Sequence, residues 1–155
     1  TPPPPPPPPP HPQHPPSPPP PLIFEVSRLC RDIPDYKFMC FNGKVGCCFT
    51  CTERRSDSGV KVTFFDRDWQ RLPFMRHYPV AEHPLPRPKH LDRMIELAEK
   101  LAAGIAFLRV DFYELDGRIY FGELTFYPGG GLEEFAPEAW DRRLGEMIDL
   151  SPVGR

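Results

Sequence analysis

Apolar positions in this chain follow two different periods, and the switches between them mark its elements. Tyr36-Lys37-Phe38-Met39-Cys40-Phe41 is an aromatic-rich run ending at Asn42-Gly43, a dipeptide whose tolerance of left-handed backbone makes it a strong hairpin signal. The pattern predicts a strand there, a return strand from Val45 to about Thr52, and a third strand from Val60 to Phe65 after a polar turn around Ser56, Asp57, Ser58 and Gly59. Leu91, Met94, Ile95, Ala98, Leu101 and Ala102 then recur at three-and-four spacing, with Asp92 early, Lys100 late and Gly104 beyond. That is the signature of an amphipathic helix. Two more strands are expected, from Ile105 to Glu114 and from Arg118 to Phe126, joined by Leu115-Asp116-Gly117. A last helix opens with Pro137 in its first turn and presents Trp140, Leu144, Met147 and Ile148 on one face. Strands and helices mix without strict alternation, so the fold class is α+β, a mostly antiparallel sheet with helices on one face.

Composition changes the picture at the start of the chain. Of 155 residues, Thr1 to Pro21 hold 16 of the 25 prolines and contain no charged and no apolar residue, so they cannot build a core. The expected organisation is a disordered polyproline tract at 1–21, one domain at 22–150 and a short tail at 151–155. The tract favours a left-handed polyproline helix, either a stiff spacer or a ligand for a proline-binding module of SH3 or WW type. The first residue is Thr, not Met, which suggests a fragment. Between Asp66 and His90, prolines at 73, 79, 84, 86 and 88 mark a long irregular connection, and connections of that length are usually functional or mobile.

Charge and cysteine content narrow the function classes. Nineteen Lys and Arg stand against 21 Asp and Glu, a balance that recommends neither nucleic acid nor an acidic membrane as partner. No apolar stretch is long enough to span a membrane, and a cytoplasmic location is the expectation. Four of the five cysteines, Cys40, Cys47, Cys48 and Cys51, crowd into twelve positions, with Cys30 upstream. A zinc knuckle would need a second ligand pair at matching spacing, so reduced thiols are the better reading. His77, His83, His90, Arg87 and Lys89 lie in or beside the proline-rich connection, where solvated side chains are the simpler reading and an anion or metal contact the sharper one.

The informative chemistry lies in Phe107-Leu108-Arg109-Val110-Asp111-Phe112-Tyr113 and Ile119-Tyr120-Phe121-Gly122-Glu123-Leu124-Thr125, followed by Pro128-Gly129-Gly130-Gly131. Alternation places Arg109 and Asp111 on one face of a strand and Leu108, Val110 and Phe112 on the other. A two-residue turn at Asp116-Gly117 would set Val110 opposite Glu123 and put the two carboxylates on opposite sides. A three-residue loop, Leu115 to Gly117, pairs Asp111 with Phe121 and Arg109 with Glu123. The second register is favoured because it leaves no acid unpaired beneath the sheet. It brings Asp111, Glu123 and Thr125 together as hard oxygen donors for Mg²⁺, which takes one or two protein carboxylates and completes its shell with water and phosphate. Arg109 beside them would stabilise charge growing on a transferring phosphoryl or acyl-phosphate group. The same residues also fit a surface salt bridge on a solvated sheet face.

Asp35-Tyr36-Lys37-Phe38, Cys40-Phe41-Asn42-Gly43, Asp68-Trp69, Leu72-Pro73-Phe74, Arg109-Val110-Asp111-Phe112 and the string from Phe121 to Gly129 together resemble the TupA-like ATP-grasp family of polysaccharide biosynthesis. The resemblance runs from about Asp32 to Leu150. It implies the C-terminal portion of an ATP-grasp fold, with ATP and Mg²⁺ as cofactors, Asp111, Glu123 and Thr125 at the metal and Arg109 as the catalytic cation. Lys37 would contact ATP phosphates, and the Gly129-Gly130-Gly131 backbone would approach the acyl substrate. By the same resemblance, members join an amino group to a carboxylate through an acyl phosphate while making or decorating cell-surface polymers of teichuronopeptide type. Thr125 stands where ATP-grasp enzymes generally carry Asn. The nucleotide-binding half expected before Glu25 is replaced by polyproline, which leaves a non-catalytic remnant or interaction module as the alternative function.

Overall fold

A computed structural model of the chain describes Ile33 and residues 35–54, 56–57 and 59–151. The polyproline tract, Cys30, Ser58 and the tail after Ser151 lie outside the described residues. Five antiparallel strands form one sheet: β1 (Asp35–Phe41), β2 (Lys44–Thr52), β3 (Lys61–Phe65), β4 (Phe107–Leu115) and β5 (Arg118–Thr125), in the order β3-β2-β1-β4-β5. Helix α1 (Leu91–Leu101) precedes β4, and helix α2 (Glu138–Glu146) follows the glycine turn at Pro128–Gly131. Among the described residues no helix is long and apolar enough to cross a membrane.

Both hairpins turn on two residues with positive φ, Asn42 (48°) and Gly43 (78°) in the first, Asp116 (50°) and Gly117 (71°) in the second. That twist matches the right-handed twist of the flanking strands. β1 is central because it is apolar on both faces. Tyr36, Phe38 and Cys40 join Leu108, Val110 and Phe112 in a cluster beneath α1, where Leu91, Met94, Ile95 and Ala98 supply the helix side. Met39 and Phe41 face the other way, with Cys47, Phe49, Val62, Phe64, Phe74 and Leu144. The sheet is therefore covered on both sides, α1 on one and the α2 residue Leu144 with the connection residue Phe74 on the other.

The long connection is packed along the outer edge of the sheet. Its backbone bonds to β3 (Leu72 N to Phe64 O 2.9 Å, Val62 N to Pro79 O 2.8 Å), and the Ala81 amide donates to Thr63 Oγ1 at 3.1 Å. Trp69 stacks on Phe65 at 4.0 Å and donates its indole N–H to Leu85 O at 3.0 Å. These bonds satisfy an edge strand that would otherwise offer unpaired backbone groups.

The β4–β5 register corrects the sequence-based expectation. The turn has two residues, with Leu115 opposite Arg118 and Phe112 opposite Phe121, and the register then shifts so that Val110 faces Leu124 and Arg109 faces Thr125. Gly122 and Glu123 together oppose Asp111, a β-bulge that rotates Glu123 back onto the Asp111 face. A Cβ on Gly122 would stand 3.0 Å from the Asp111 carbonyl oxygen and 3.1 Å from the Tyr113 ring, so the bulge needs glycine there. Gly46 plays the same part in β2, where the register shifts between Met39 and Cys40 and a Cβ would lie 2.4 Å from Met147 Cε.

Two outcomes are expected. Gly122→Val should destabilise the fold by about 1–3 kcal/mol through overpacking, read as a lower urea midpoint; an unchanged midpoint contradicts the bulge. The second concerns Glu99 on α1, which receives Lys44 Nζ at 3.0 Å, the Val45 amide at 3.2 Å and Arg67. Burial works to raise its pKa, but the bonds from Arg67, Lys44 and Val45 outweigh it and hold the carboxyl at about 2, below the ordinary 4.5. A depressed folded-state pKa contributes stability above the unfolded value that is lost as pH falls through the folded value. The stability gap between the parent and Glu99→Gln, read by thermal unfolding, should therefore be full above about pH 4.5 and close towards about pH 2.

Candidate functional site

The side chains of β1 and β4 that point away from α1 meet at one end of the sheet. Lys37 sits directly opposite Asp111 in the β1–β4 register, so its ammonium reaches across the strand gap. Lys37 Nζ donates to Asp111 Oδ2 and lies 3.0 Å from Asp35 Oδ2, two residues back on the same face. Asp35 also receives Arg54 and the Cys51 amide, the latter at 3.4 Å. On β4, Arg109 grips Asp111 with a fork, Nε to Oδ1 and Nη2 to Oδ2, both at 2.8 Å. Its Nη2 continues to Glu123 Oε1, which also accepts from Thr125 Oγ1 at 3.3 Å. The result is a chain of alternating charge: Arg54, Asp35, Lys37, Asp111, Arg109, Glu123.

Burial grades along this chain. The side chains of Asp35 and Asp111 are 1% and 2% exposed, Lys37 and Arg109 14% and 11%, and Glu123 61%. Buried carboxylates persist only when paired and hydrogen-bonded, which explains why each holds two cations. Burial works against the Lys37 ammonium, yet the charges of Asp35 and Asp111 raise its pKa above the usual lysine value. Burial likewise opposes the Arg109 guanidinium, and Asp111, Glu123 and Glu133 outweigh it. Both side chains stay cationic at neutral pH, held by an organised polar frame beside the exposed Glu123 carboxylate. Such a frame presents positive charge to an anion at this end of the sheet.

The glycine turn at Pro128–Gly131 follows β5. Gly129, Gly130 and Gly131 all have positive φ (56°, 68° and 79°). The Glu133 side chain lies against Gly129, where a Cβ would come within 2.2 Å of Glu133 Cγ. Glu133 is bound by Arg76, a side chain 9% exposed whose guanidinium lies 4.7 Å from the Phe49 ring centroid. The turn is thus tied to the sheet through Glu133 and Arg76.

Arg109, Asp111, Glu123, Thr125 and Lys37 come together as one cluster, with Gly129 and Gly130 in the adjoining turn. Asp35, Arg54, Arg76 and Glu133 are the members that sequence reasoning missed. Asp35 carried a usable signal, an acid at the i−2 position of Lys37 on a strand otherwise made of apolar residues. Arg54, Arg76 and Glu133 lie in loops and turns, where no periodicity points to a partner. The other polar residues do not converge: His90 Nδ1 bonds Glu114 at 2.6 Å, His77 packs on Tyr78, Arg87 pairs with Asp92 at 2.7 Å, and His83 lines an apolar cleft with Ala81 and Leu85. Cys40, Cys47, Cys48 and Cys51 are free thiols, and burial pushes Cys40 and Cys47 up to about 12.

Among the described residues no three His, Cys, Asp or Glu side chains form a ready metal cage. The hard oxygens of Asp111, Glu123 and Thr125 nonetheless suit Mg²⁺, which binds through one or two carboxylates and takes its remaining ligands from phosphate and water. The exposed Glu123 carboxylate leaves room for them.

Removing Asp111 strips the shared counter-charge from two largely buried cations. Asp111→Ala should therefore cost about 3–5 kcal/mol, measured by urea unfolding, with Asp111→Asn milder because it retains hydrogen-bonding capacity. A loss below about 1 kcal/mol would show that the pairing is not buried in solution.

Comparison with solved structures finds two crystal structures of a D-alanine–D-alanine ligase from Bacillus anthracis. The one complexed with ATP has a TM-score of 0.46 and 16% identity, covering 85% of this chain and 46% of that one. The other has a TM-score of 0.40 and 16% identity, covering 85% and 47%. The chain thus spans about half the length of these ligases. Comparison with curated proteins finds no match. The family model described as TupA-like ATP-grasp matches residues 22–149, and on that match, which covers most of the sequence and both strands of the charged hairpin, the chain belongs to the TupA-like ATP-grasp family.

Proposed function

We propose that this chain supplies the metal- and phosphate-binding half of an ATP-dependent carboxylate–amine ligase acting in cell-surface polysaccharide biosynthesis of teichuronopeptide type. The observation that carries the reading is the fork of Arg109 on Asp111, extended to Glu123 and flanked by Lys37. A purely structural ion pair does not call for three cations and three carboxylates on one sheet face, ending at an exposed acid. Family membership supports ATP as the nucleotide.

In this reading Asp111, Glu123 and Thr125 hold Mg²⁺, which when bound neutralises phosphate charge and orients the nucleotide. Lys37 and Arg109 supply positive charge to phosphate oxygens. Arg109 is the catalytic cation, because its guanidinium is locked by Asp111 and stands beside Glu123, where charge on a transferring phosphoryl group would develop. In the turn, Gly129 leaves room for the Glu133 side chain, and Gly130, where a Cβ would meet nothing within 4 Å, offers the open left-handed backbone that the acyl substrate would approach. The substrate carboxylate takes the γ-phosphoryl group of ATP, giving an acyl phosphate and ADP. An amine then attacks the acyl carbon, the carbon–oxygen bond to phosphate breaks, and inorganic phosphate and the amine's proton are released.

Calorimetric titration of ATP into the chain, with and without Mg²⁺ and beside Glu123→Ala, tests this. Metal-dependent binding should appear in the parent and fall at least about tenfold in the variant, the loss of one charged ligand contact. Binding that is indifferent to Mg²⁺ or to Glu123 overturns the site assignment and favours a non-catalytic interaction module.

A further inference from the structure

Asp111 is over-supplied with positive charge. Its Oδ2 accepts both the Lys37 ammonium and Arg109 Nη2, while Arg109 Nε takes Oδ1. Lys37 is the cation that is shared, because Asp35 lies 3.0 Å from the same ammonium and is also held by Arg54. Each buried carboxylate therefore keeps an arginine of its own if Lys37 is drawn away. A divalent cation approaching Asp111 alone meets two positive charges already bonded to it, and their repulsion is weakly screened where exposure is this low. Phosphate oxygens arriving with the metal change the balance, since they offer Lys37 a new anionic partner while Asp35 keeps it within reach.

We propose that Lys37 is a resident counter-ion at the metal position. It neutralises Asp111 until nucleotide arrives, bars a free divalent cation, and transfers to the phosphates of an incoming metal–nucleotide complex. Lys37 thereby makes metal and nucleotide binding obligately joint and selects the complex over the bare ion. Asp35 is the positioning residue that retains the ammonium during the exchange. The inference rests on the reading of Asp111 and Glu123 as metal ligands.

Titration of Mn²⁺ alone into the full chain, followed by the paramagnetic resonance signal of the free ion, gives a readout independent of turnover. Lys37→Met should bind free Mn²⁺ at least about tenfold more tightly than the parent, since one repelling charge is gone. The same variant should bind the Mn²⁺–ATP complex no better than the parent. Lys37→Gln, which removes the charge but keeps a hydrogen-bond donor, should behave alike, and circular dichroism confirms that both variants are folded. If Lys37→Met and Lys37→Gln bind free Mn²⁺ with the parent's affinity or more weakly, the counter-ion role is overturned and the metal ligands stand. If neither parent nor variants bind Mn²⁺, or if adding Glu123→Ala to Lys37→Met leaves the gained affinity intact, the metal assignment falls and the inference with it.

Discussion

The pairing of Lys37 with Asp111 across β1 and β4 is the contact on which the rest of this site depends. Both residues sit on the sheet face opposite α1, in adjacent strands and in register. Neither could be buried alone, because a desolvated ammonium or carboxylate without a partner costs several kcal/mol. Once they meet, Asp35 and Arg109 are drawn in to complete their hydrogen bonds, and Arg54 and Glu123 extend the alternation to the surface. The apolar positions of the same strands allow this by burying Phe38, Val110 and Phe112 under α1, which fixes the strand order that brings the charges together.

Backbone irregularity aims the chemistry. A regular β4–β5 hairpin closed by a two-residue turn would send Glu123 to the face beneath α1, opposite Val110 and among the apolar side chains packed there. The bulge at Gly122 and Glu123 adds one residue to β5 and turns the carboxylate towards Arg109 instead. Small residues are required where strands approach so closely, and Gly122 and Gly46 both stand where a Cβ would collide with its neighbours. The Pro128–Gly131 turn follows the same logic, with Gly129 leaving space for the Glu133 side chain that anchors it to Arg76. Rigid elements hold Lys37, Asp111 and Arg109, and the glycine turn is fastened to the sheet by a second ion pair, Arg76 with Glu133. Electrostatic function benefits from such a frame because Arg109 is already held in place by Asp111 when an anion arrives.

Much of the architecture was legible from local pattern. The Asn42-Gly43 turn, the α1 stripe of Leu91, Met94, Ile95 and Ala98, and the alternation of Arg109 and Asp111 with Val110 and Phe112 all depend on interactions within a few residues. The grouping of Arg109, Asp111, Glu123 and Thr125 on one face was expected for the same reason, and the structure brings the four together. The turn length was misjudged, since the need to pair Glu123 was met by a bulge after a tight turn and not by a longer loop. Both solutions place the acid on the same face, so the hydrophobic and polar pattern could not choose between them.

The sequence by itself determined which segments would be strands and helices, and which side chains share a face within each regular stretch, because those are consequences of backbone periodicity, whereas the bulge at Gly122 and Glu123 breaks that alternation. Only the tertiary structure decided that β1 lies between β2 and β4, that Lys37 therefore meets a carboxylate 74 residues away, and that Asp35, Arg54, Arg76 and Glu133 complete the charged frame. Contacts between distant segments are set by which arrangement buries the apolar faces while leaving no charge unpaired, and that is a property of the whole packed chain.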